Sequence, residues 1–206
     1  MIFERVDRGI ISVEIPKLKA HLEQHVFPLP PVMNGSYFGG WSVLSSTGDY
    51  QDGFQRGQRI YDPEFMPGAS LQKKAAALGI KARHHYRIPT QVCHGYLAEV
   101  VEKIRSIGLE PARVRLSLLK AQGHSTKHRD ANAGSYCVRL HIPIITNPLC
   151  TFECEEGAAH MPADGSAYIL DVAREHQVFN RGDTDRIILL ADIIDRPWIT
   201  RHHRLP

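Results

Sequence analysis

Apolar residues recur every three or four positions in two stretches of the first half of the chain, a spacing typical of amphipathic helices. The first predicted helix covers residues 15–27, and a longer one runs from Thr90 to about Ile107. Ser70 is a good N-cap for a shorter helix that ends near Leu78. We expect such one-sided helices to cover the outer face of a sheet.

After Pro111 the apolar positions alternate with polar ones, and short runs follow one another at short intervals, as in antiparallel sandwiches and barrels. The predicted strands cover Tyr37–Ser45, Arg113–Leu119, Tyr136–Ile145, Thr151–Cys154, Ser166–Leu170 and Arg186–Ile194. Several of them place polar residues on one face and aliphatic residues on the other. This pattern fits either a sheet half exposed to water or a sandwich with a polar interior.

Glycine, aspartate, glutamine and proline dominate the segment from Ser46 to Gly68, which shows no clear period. A connection of this length is either a plain surface excursion or a loop that borders a binding site.

The 206 residues suit one domain, and the composition is that of an ordinary globular protein, with 43% hydrophobic residues. The net charge of +3 is dispersed along the chain, so we expect no nucleic-acid partner. The N-terminus lacks the apolar core of a secretory signal and no stretch reaches about 18 apolar residues, so we expect a cytoplasmic protein without a membrane span. The four cysteines form no C-x-x-C pair and are expected to be free thiols.

The residue pattern that most clearly indicates a metal site is His128-Arg129-Asp130, followed at a distance by His176. On an extended strand, residues two apart share a face, so the imidazole and the carboxylate can meet at one metal ion. Two histidines and one carboxylate with open coordination positions are typical of ferrous iron in oxygen-activating enzymes. Arg186 opens an apolar run ten residues after His176, and a guanidinium at the mouth of a buried strand needs an anion.

The block from Arg113 to Ile194 resembles the aspartyl/asparaginyl β-hydroxylase-like branch of the iron(II)/2-oxoglutarate oxygenases, which includes bacterial proline cis-hydroxylases. The matching pieces are Ser117, His128–Asp130, Arg139–Ile144, Gly165–Asp171, His176–Asn180 and Arg186 with its apolar run. The resemblance implies a mainly β fold, in which a double-stranded β-helix (jelly-roll or cupin-like) core carries flanking helices from the N-terminal part. It places this core at residues 111–195, after a helical and loop part with an added strand at 1–110 and before a basic tail at 196–206.

The same resemblance implies Fe(II), 2-oxoglutarate and O2 as cofactors, with iron held by His128, Asp130 and His176. It assigns the distal carboxylate of 2-oxoglutarate to Arg186 and Ser117. It assigns the metal-bound end of 2-oxoglutarate to Arg139 and His141. Near the substrate it places Arg115 and His160, and Trp41 is a further candidate that is either a substrate wall or a core residue.

The implied reaction is hydroxylation of an amino-acid side chain, coupled to the oxidation of 2-oxoglutarate to succinate and carbon dioxide. Asp130, Arg115 and His160 favour a free L-amino acid as substrate, whereas the long loop favours an Asp, Asn or other residue within a peptide or protein. A zinc hydrolase is the less favoured enzyme class because no H-E-x-x-H helix is present. A cupin-like binding protein without activity is the alternative of another class, and the sequence leaves the oligomeric state open.

Overall fold

The computed structural model describes residues 4–6, 11–52, 64, 66–78, 85–130 and 138–193. Its helices are α1 (Ile15–His25), α2 (Leu71–Ala77) and α3 (Gly95–Ser106). Its strands are β1 (Glu4–Arg5), β2 (Val32–Met33), β3 (Phe38–Ser42), β4 (Leu44–Ser45), β5 (Ile88–Pro89), β6 (Pro111–Leu119), β7 (Val138–Ile145), β8 (Cys150–Cys154), β9 (Gly157–Ala159), β10 (Tyr168–Asp171), β11 (His176–Asn180) and β12 (Arg186–Ile193).

Two antiparallel sheets form the body of the fold. The major sheet has seven strands in the order β1-β10-β7-β12-β6-β3-β2, and the minor sheet has three in the order β11-β8-β9. Phe152 of the minor sheet shares a buried cluster with Tyr168 and Leu170 of the major sheet, so the two sheets face each other. This is the predicted double-stranded β-helix with flanking helices.

The register of the central strands divides the major sheet into two faces of different chemistry. Leu190 of β12 lies opposite Arg115 of β6 and His141 of β7, so these three side chains share the face towards the minor sheet. The adjacent Leu189 lies opposite Leu116 and belongs to the other face, which is aliphatic. The predicted polar interior therefore lies between the two sheets.

The aliphatic face packs under α1 and α3, whose inward side chains belong to the same buried cluster as the strands. In α1 these are Leu18 and Leu22, and in α3 they include Val100 and Ile104. Burying a side chain of this size contributes roughly 1.5–3 kcal/mol to stability, so this layer holds the sheet in place. No helix in the described part of the chain is both long and apolar enough to span a bilayer.

The helix expected from Thr90 begins at Gly95, because the Thr90 hydroxyl donates to the Ser42 carbonyl at 2.7 Å and holds the preceding residues against β3. Ser70 caps α2 as predicted, accepting from the Lys73 amide. The long loop lies mostly outside the described residues, at 53–63 and 65.

The cysteines in the described ranges are free thiols, as predicted. They are Cys93, Cys150 and Cys154. Cys137 lies outside the described residues.

Candidate metal centre

The two histidines and the aspartate singled out in the sequence lie together at one end of the space between the sheets. One ligand atom from each of His128, Asp130 and His176 lies within 4.8 Å of the others. The Asp130 Oδ2 atom is 3.9 Å from His128 Nε2 and 3.5 Å from His176 Nε2. The three side chains therefore converge on one point, as a shared metal ion requires.

Backbone pairing brings the two imidazoles together. His128 and His176 exchange two backbone hydrogen bonds of 2.9 Å, which form an isolated β-bridge and set the ring centres 4.4 Å apart. His128 and Asp130 converge as expected from their spacing, although residues 120–130 form a loop with isolated bridges and not a regular strand. The Asp130 amide donates instead to the Val172 carbonyl at 2.9 Å, and this bond turns the carboxylate towards the imidazoles.

Backbone carbonyls fix the tautomer of both histidines. His128 Nδ1 is 2.7 Å from the Thr126 carbonyl oxygen, and His176 Nδ1 is 2.8 Å from that of Arg174. Because a carbonyl oxygen only accepts, each Nδ1 carries the proton and each Nε2 keeps a lone pair for a metal. Such outer hydrogen bonds orient metal-binding histidines.

Asp130 is held in its charged form. Burial alone would raise the pKa of Asp130, but the charge of Arg139 and the two adjacent imidazoles outweigh this effect and bring the pKa far below its usual value. A charged carboxylate beside two imidazole nitrogens is a suitable ligand set for a divalent ion, and it leaves further coordination positions open.

A chain of charged groups extends from Asp130 across the major sheet. Arg139 donates from one terminal nitrogen to Asp130 Oδ2 at 2.7 Å and from Nε to Asp192 Oδ1 at 2.8 Å. The other oxygen of Asp192 is 3.1 Å from Arg113 Nε. Asp192 is only 3% exposed, and its two oxygens face both of these guanidinium groups.

Sequence reasoning missed Asp192, although a signal was present. It is an acidic residue within an otherwise apolar strand, and it lies six positions after Arg186, on the same face. Its position depends on a β-bulge between Leu190 and Asp192 that no sequence period reveals. Opposite the bulge, Arg113 has a positive φ of 45°, which is unusual for a residue other than glycine.

His141 is buried beside this network, and neither of its ring nitrogens has a hydrogen-bond partner among the described residues. Burial and the charges of Arg186 and Arg139 lower the pKa of His141 well below the usual value, so the ring is neutral. Phe152 stacks on His176 with ring centres 5.0 Å apart and meets His141 edge-on. An unsatisfied imidazole in this position can donate to a bound polar group.

Arg186 lies on the same inner face and is 4% exposed. No hydrogen bond or ion pair joins its side chain to any residue that the structure describes. Burial lowers the pKa of Arg186 to about 10, so the guanidinium still carries its charge at neutral pH. Ser117 is also buried and shares this face, since it lies opposite Ile188, two residues after Arg186. Among the described residues, this cationic pair has no anionic partner.

Arg115 and His160, two of the predicted substrate-binding residues, lie in different parts of the fold. Arg115 is buried on the inner face, and burial and the nearby Arg113 and Arg139 lower its pKa well below the usual value. His160 is half-buried after β9, where its Nδ1 lies 2.9 Å from the Cys150 carbonyl oxygen. No described contact joins His160 to the metal ligands.

Trp41 is a core residue, and the expectation of a substrate wall is wrong for it. Trp41 lies opposite Leu116 in the register and therefore points to the aliphatic face, away from Arg115. Its Nε1 donates to the Leu29 carbonyl at 2.9 Å, and its ring packs against Phe27. The indole thus fills the space between the sheet and α1.

Comparison with known proteins identifies one family. A sequence profile described as Aspartyl/Asparaginyl beta-hydroxylase matches residues 75–196, more than half of the chain. No curated protein sequence matches the chain.

Similar solved structures include the viral collagen prolyl hydroxylase of Paramecium Bursaria Chlorella virus-1, at 10% identity and a TM-score of 0.49, covering 94% of this chain and 96% of that one. A 2OG-Fe(II) oxygenase family oxidoreductase from Burkholderia pseudomallei has 12% identity and a TM-score of 0.45, with coverages of 87% and 77%. A cupin domain from Bordetella pertussis has 23% identity and a TM-score of 0.35, with coverages of 42% and 84%. These weak similarities carry no assignment of residues or chemistry.

Proposed function

The chain belongs to the aspartyl/asparaginyl β-hydroxylase family, and on that premise we propose that it is an iron(II)- and 2-oxoglutarate-dependent dioxygenase that hydroxylates an amino-acid side chain. His128, Asp130 and His176 are the proposed metal ligands. Their two imidazole nitrogens and one carboxylate oxygen fit a ferrous ion and leave positions for other ligands.

The observation that carries this proposal is the buried charge of Arg186, which no described carboxylate neutralises and which lies in the same interior as the three ligands. A buried guanidinium without a carboxylate is costly, and a planar fork of donors matches a carboxylate through two parallel bonds. Ser117 adds a hydroxyl on the same face. This subsite therefore suits the distal carboxylate of 2-oxoglutarate.

The other end of the cosubstrate would lie against Arg139 and His141. His141 has two unsatisfied ring nitrogens, and one of them can donate to an oxygen of the 2-oxo acid. Arg139 supplies positive charge at the same end while it holds Asp130 at 2.7 Å. The two carboxylates of the cosubstrate thus have separate partners on one face of the sheet.

When bound, iron and 2-oxoglutarate supply the oxidising power that inserts one oxygen atom of O2 into a C–H bond, with succinate and carbon dioxide as the other products. The chain contributes ligands, orientation and a dry interior. Phe152, Leu170 and Val172 are buried in the cluster between the sheets, and Phe152 shields the buried His176 from water.

For the substrate we propose a free L-amino acid, with its carboxylate held by Arg115. Arg115 is buried and cationic, and it lies on the same face as Arg139 and His141. A residue within a peptide is the alternative, and the loop after Ser46 is the segment that would border it.

A succinate-release screen tests the proposal, with the twenty free amino acids and a set of short peptides as substrates and mass spectrometry to detect the gain of one oxygen. We expect turnover with a free amino acid and its loss in Arg115→Ala. Turnover with peptides alone would overturn the free-substrate proposal. The absence of any substrate-dependent succinate from iron-loaded protein would favour a binding protein without activity.

A further inference from the structure

Three histidines meet on the outer side of the fold, far from the candidate metal centre in the chain. His21 and His25 lie one turn apart on α1, and His94 is the N-cap residue of α3. Their ring centres are 4.8 Å apart for His21 and His25, and 4.9 Å apart for each of the other two pairs. We name His21, His25 and His94 the helix-end cluster.

The spacing of the helix-end cluster is that of imidazoles around a single ion. Imidazole nitrogens bind zinc at about 2.0–2.1 Å, and three rings on one tetrahedral ion then have centres roughly 5 Å apart. The rings are inclined to one another by 42° to 77°, so ring rotation is needed to aim one nitrogen of each at a common point. His25 and His94 are exposed and free to rotate, so the backbone can stay in place.

His21 is the anchor of the cluster. Its Nε2 is buried and has no hydrogen-bond partner among the described residues. The ring packs so closely on α3 that a Cβ atom at Gly95 would lie 2.7 Å from its Cε1. Burial, His94 and His25 lower the pKa of His21, and Glu99 opposes them, so the ring is neutral at pH 7. A neutral imidazole with an unused nitrogen is the form that binds a metal.

We propose that His21, His25 and His94 form a second metal site, which takes a divalent transition ion such as zinc and cross-links α1 to α3. An all-imidazole set favours zinc, nickel or copper, in contrast to the mixed histidine and carboxylate set of the candidate centre. The nearby Glu99 is engaged by Lys17 at 3.5 Å, so a water molecule would complete the coordination. The ion would tie together two helices that cover the major sheet, outside the chemistry between the sheets.

Zinc titration followed by calorimetry tests this site in a His176→Ala background, which removes a ligand of the candidate centre. We expect His94→Ala and His25→Ala, added singly, to weaken zinc binding by more than about tenfold, since losing even a supporting partner of a ligand costs that much. His124→Ala is the matched control, because His124 is another exposed histidine that stacks on Phe179 away from α1. It should leave zinc binding unchanged.

Thermal unfolding provides the second measurement. Zinc should raise the Tm of the His176→Ala protein, because an ion bound only by the folded chain stabilises it. This increase should shrink in His94→Ala, an exposed change that leaves the core intact. Equal zinc affinity and an equal Tm increase with and without His94 and His25 would overturn the proposal, and so would an equal loss in His124→Ala.

Discussion

At the scale of single residues, Arg186 is the side chain whose environment demands a ligand most clearly. Its charge is buried, and the described residues offer it no carboxylate. We expect Arg186→Ala to weaken 2-oxoglutarate binding by about 2 to 5 kcal/mol, the range for losing one partner of a buried charge pair. Arg186→Lys should fall between the wild type and alanine, since lysine keeps the charge but loses the paired donors.

Calorimetric titration of 2-oxoglutarate into the iron-loaded protein measures this effect. Arg181→Ala is the control, because Arg181 is an exposed arginine five residues away that lies over the Phe179 ring. If Arg186→Ala binds 2-oxoglutarate as tightly as the wild type does, the cosubstrate subsite lies elsewhere.

Asp192 acts on the candidate centre through Arg139. Asp192→Asn keeps the shape but removes the charge that holds Arg139 and Arg113. We expect iron affinity to fall by about 10- to 100-fold, as for other changes just outside a metal's ligands. Buried guanidinium groups left short of negative charge should also lower stability by roughly 3–5 kcal/mol.

Iron titration of the folded variant separates these two effects, since a purely structural role would change the free energy of unfolding and leave the iron affinity of the folded fraction alone. Unaltered iron affinity in Asp192→Asn would show that Arg139 positions Asp130 without help from β12.

At the scale of elements, the α1 and α3 pair makes the fold sensitive to acid. The pKa of His21 is lower in the fold than the usual value of about 6.5, because of burial and the adjacent His94 and His25, with Glu99 opposing. Below about pH 6.5 the unfolded chain therefore binds more protons at this histidine than the folded chain does. The free energy of unfolding falls as the pH drops from about 6.5 towards the folded pKa of His21.

Chemical denaturation between pH 7 and pH 5 with a chelator present measures this loss. His21→Gln should lose less stability than the wild type over that interval, while His141, whose pKa is also lowered, keeps part of the dependence in both proteins. An identical pH dependence in the two proteins would mean that His21 titrates normally in the fold.

The longest strands were all predicted from the sequence, because they are long enough to show their alternation, whereas the five-residue β11 went unpredicted. In β6, β7 and β12 the polar and aliphatic faces follow directly from the order of residues. Strands of two or three residues such as β2, β5 and β9 show no period and went unpredicted. The candidate ligands were predictable by type and spacing, but the backbone bridge that joins His128 to His176 depends on the packing of distant segments.

At the scale of the whole molecule, metal and cosubstrate should stabilise the fold together more than separately. A 2-oxo acid that touches both the ion and Arg186 binds better when the ion is present, and by reciprocity the ion binds better with it. Thermal unfolding without oxygen, with Fe(II), 2-oxoglutarate or both, should show an excess of about 1–3 kcal/mol for the pair. His176→Ala should abolish the excess, and full stabilisation by 2-oxoglutarate without metal would contradict the shared site.

The division of the major sheet into two faces also constrains how such a chain can change over generations. A slip of one residue in the register of β12 would put Ile187 and Ile193 in the places of Arg186 and Asp192, so that the interior would lose these charges and the helices would lose apolar contacts. The strand already contains two register irregularities, one between Leu190 and Asp192 against β6 and one between Ile187 and Ile188 against β7. We therefore expect the lengths of the central strands to be constrained, so that changes in substrate preference arise in the connections between strands.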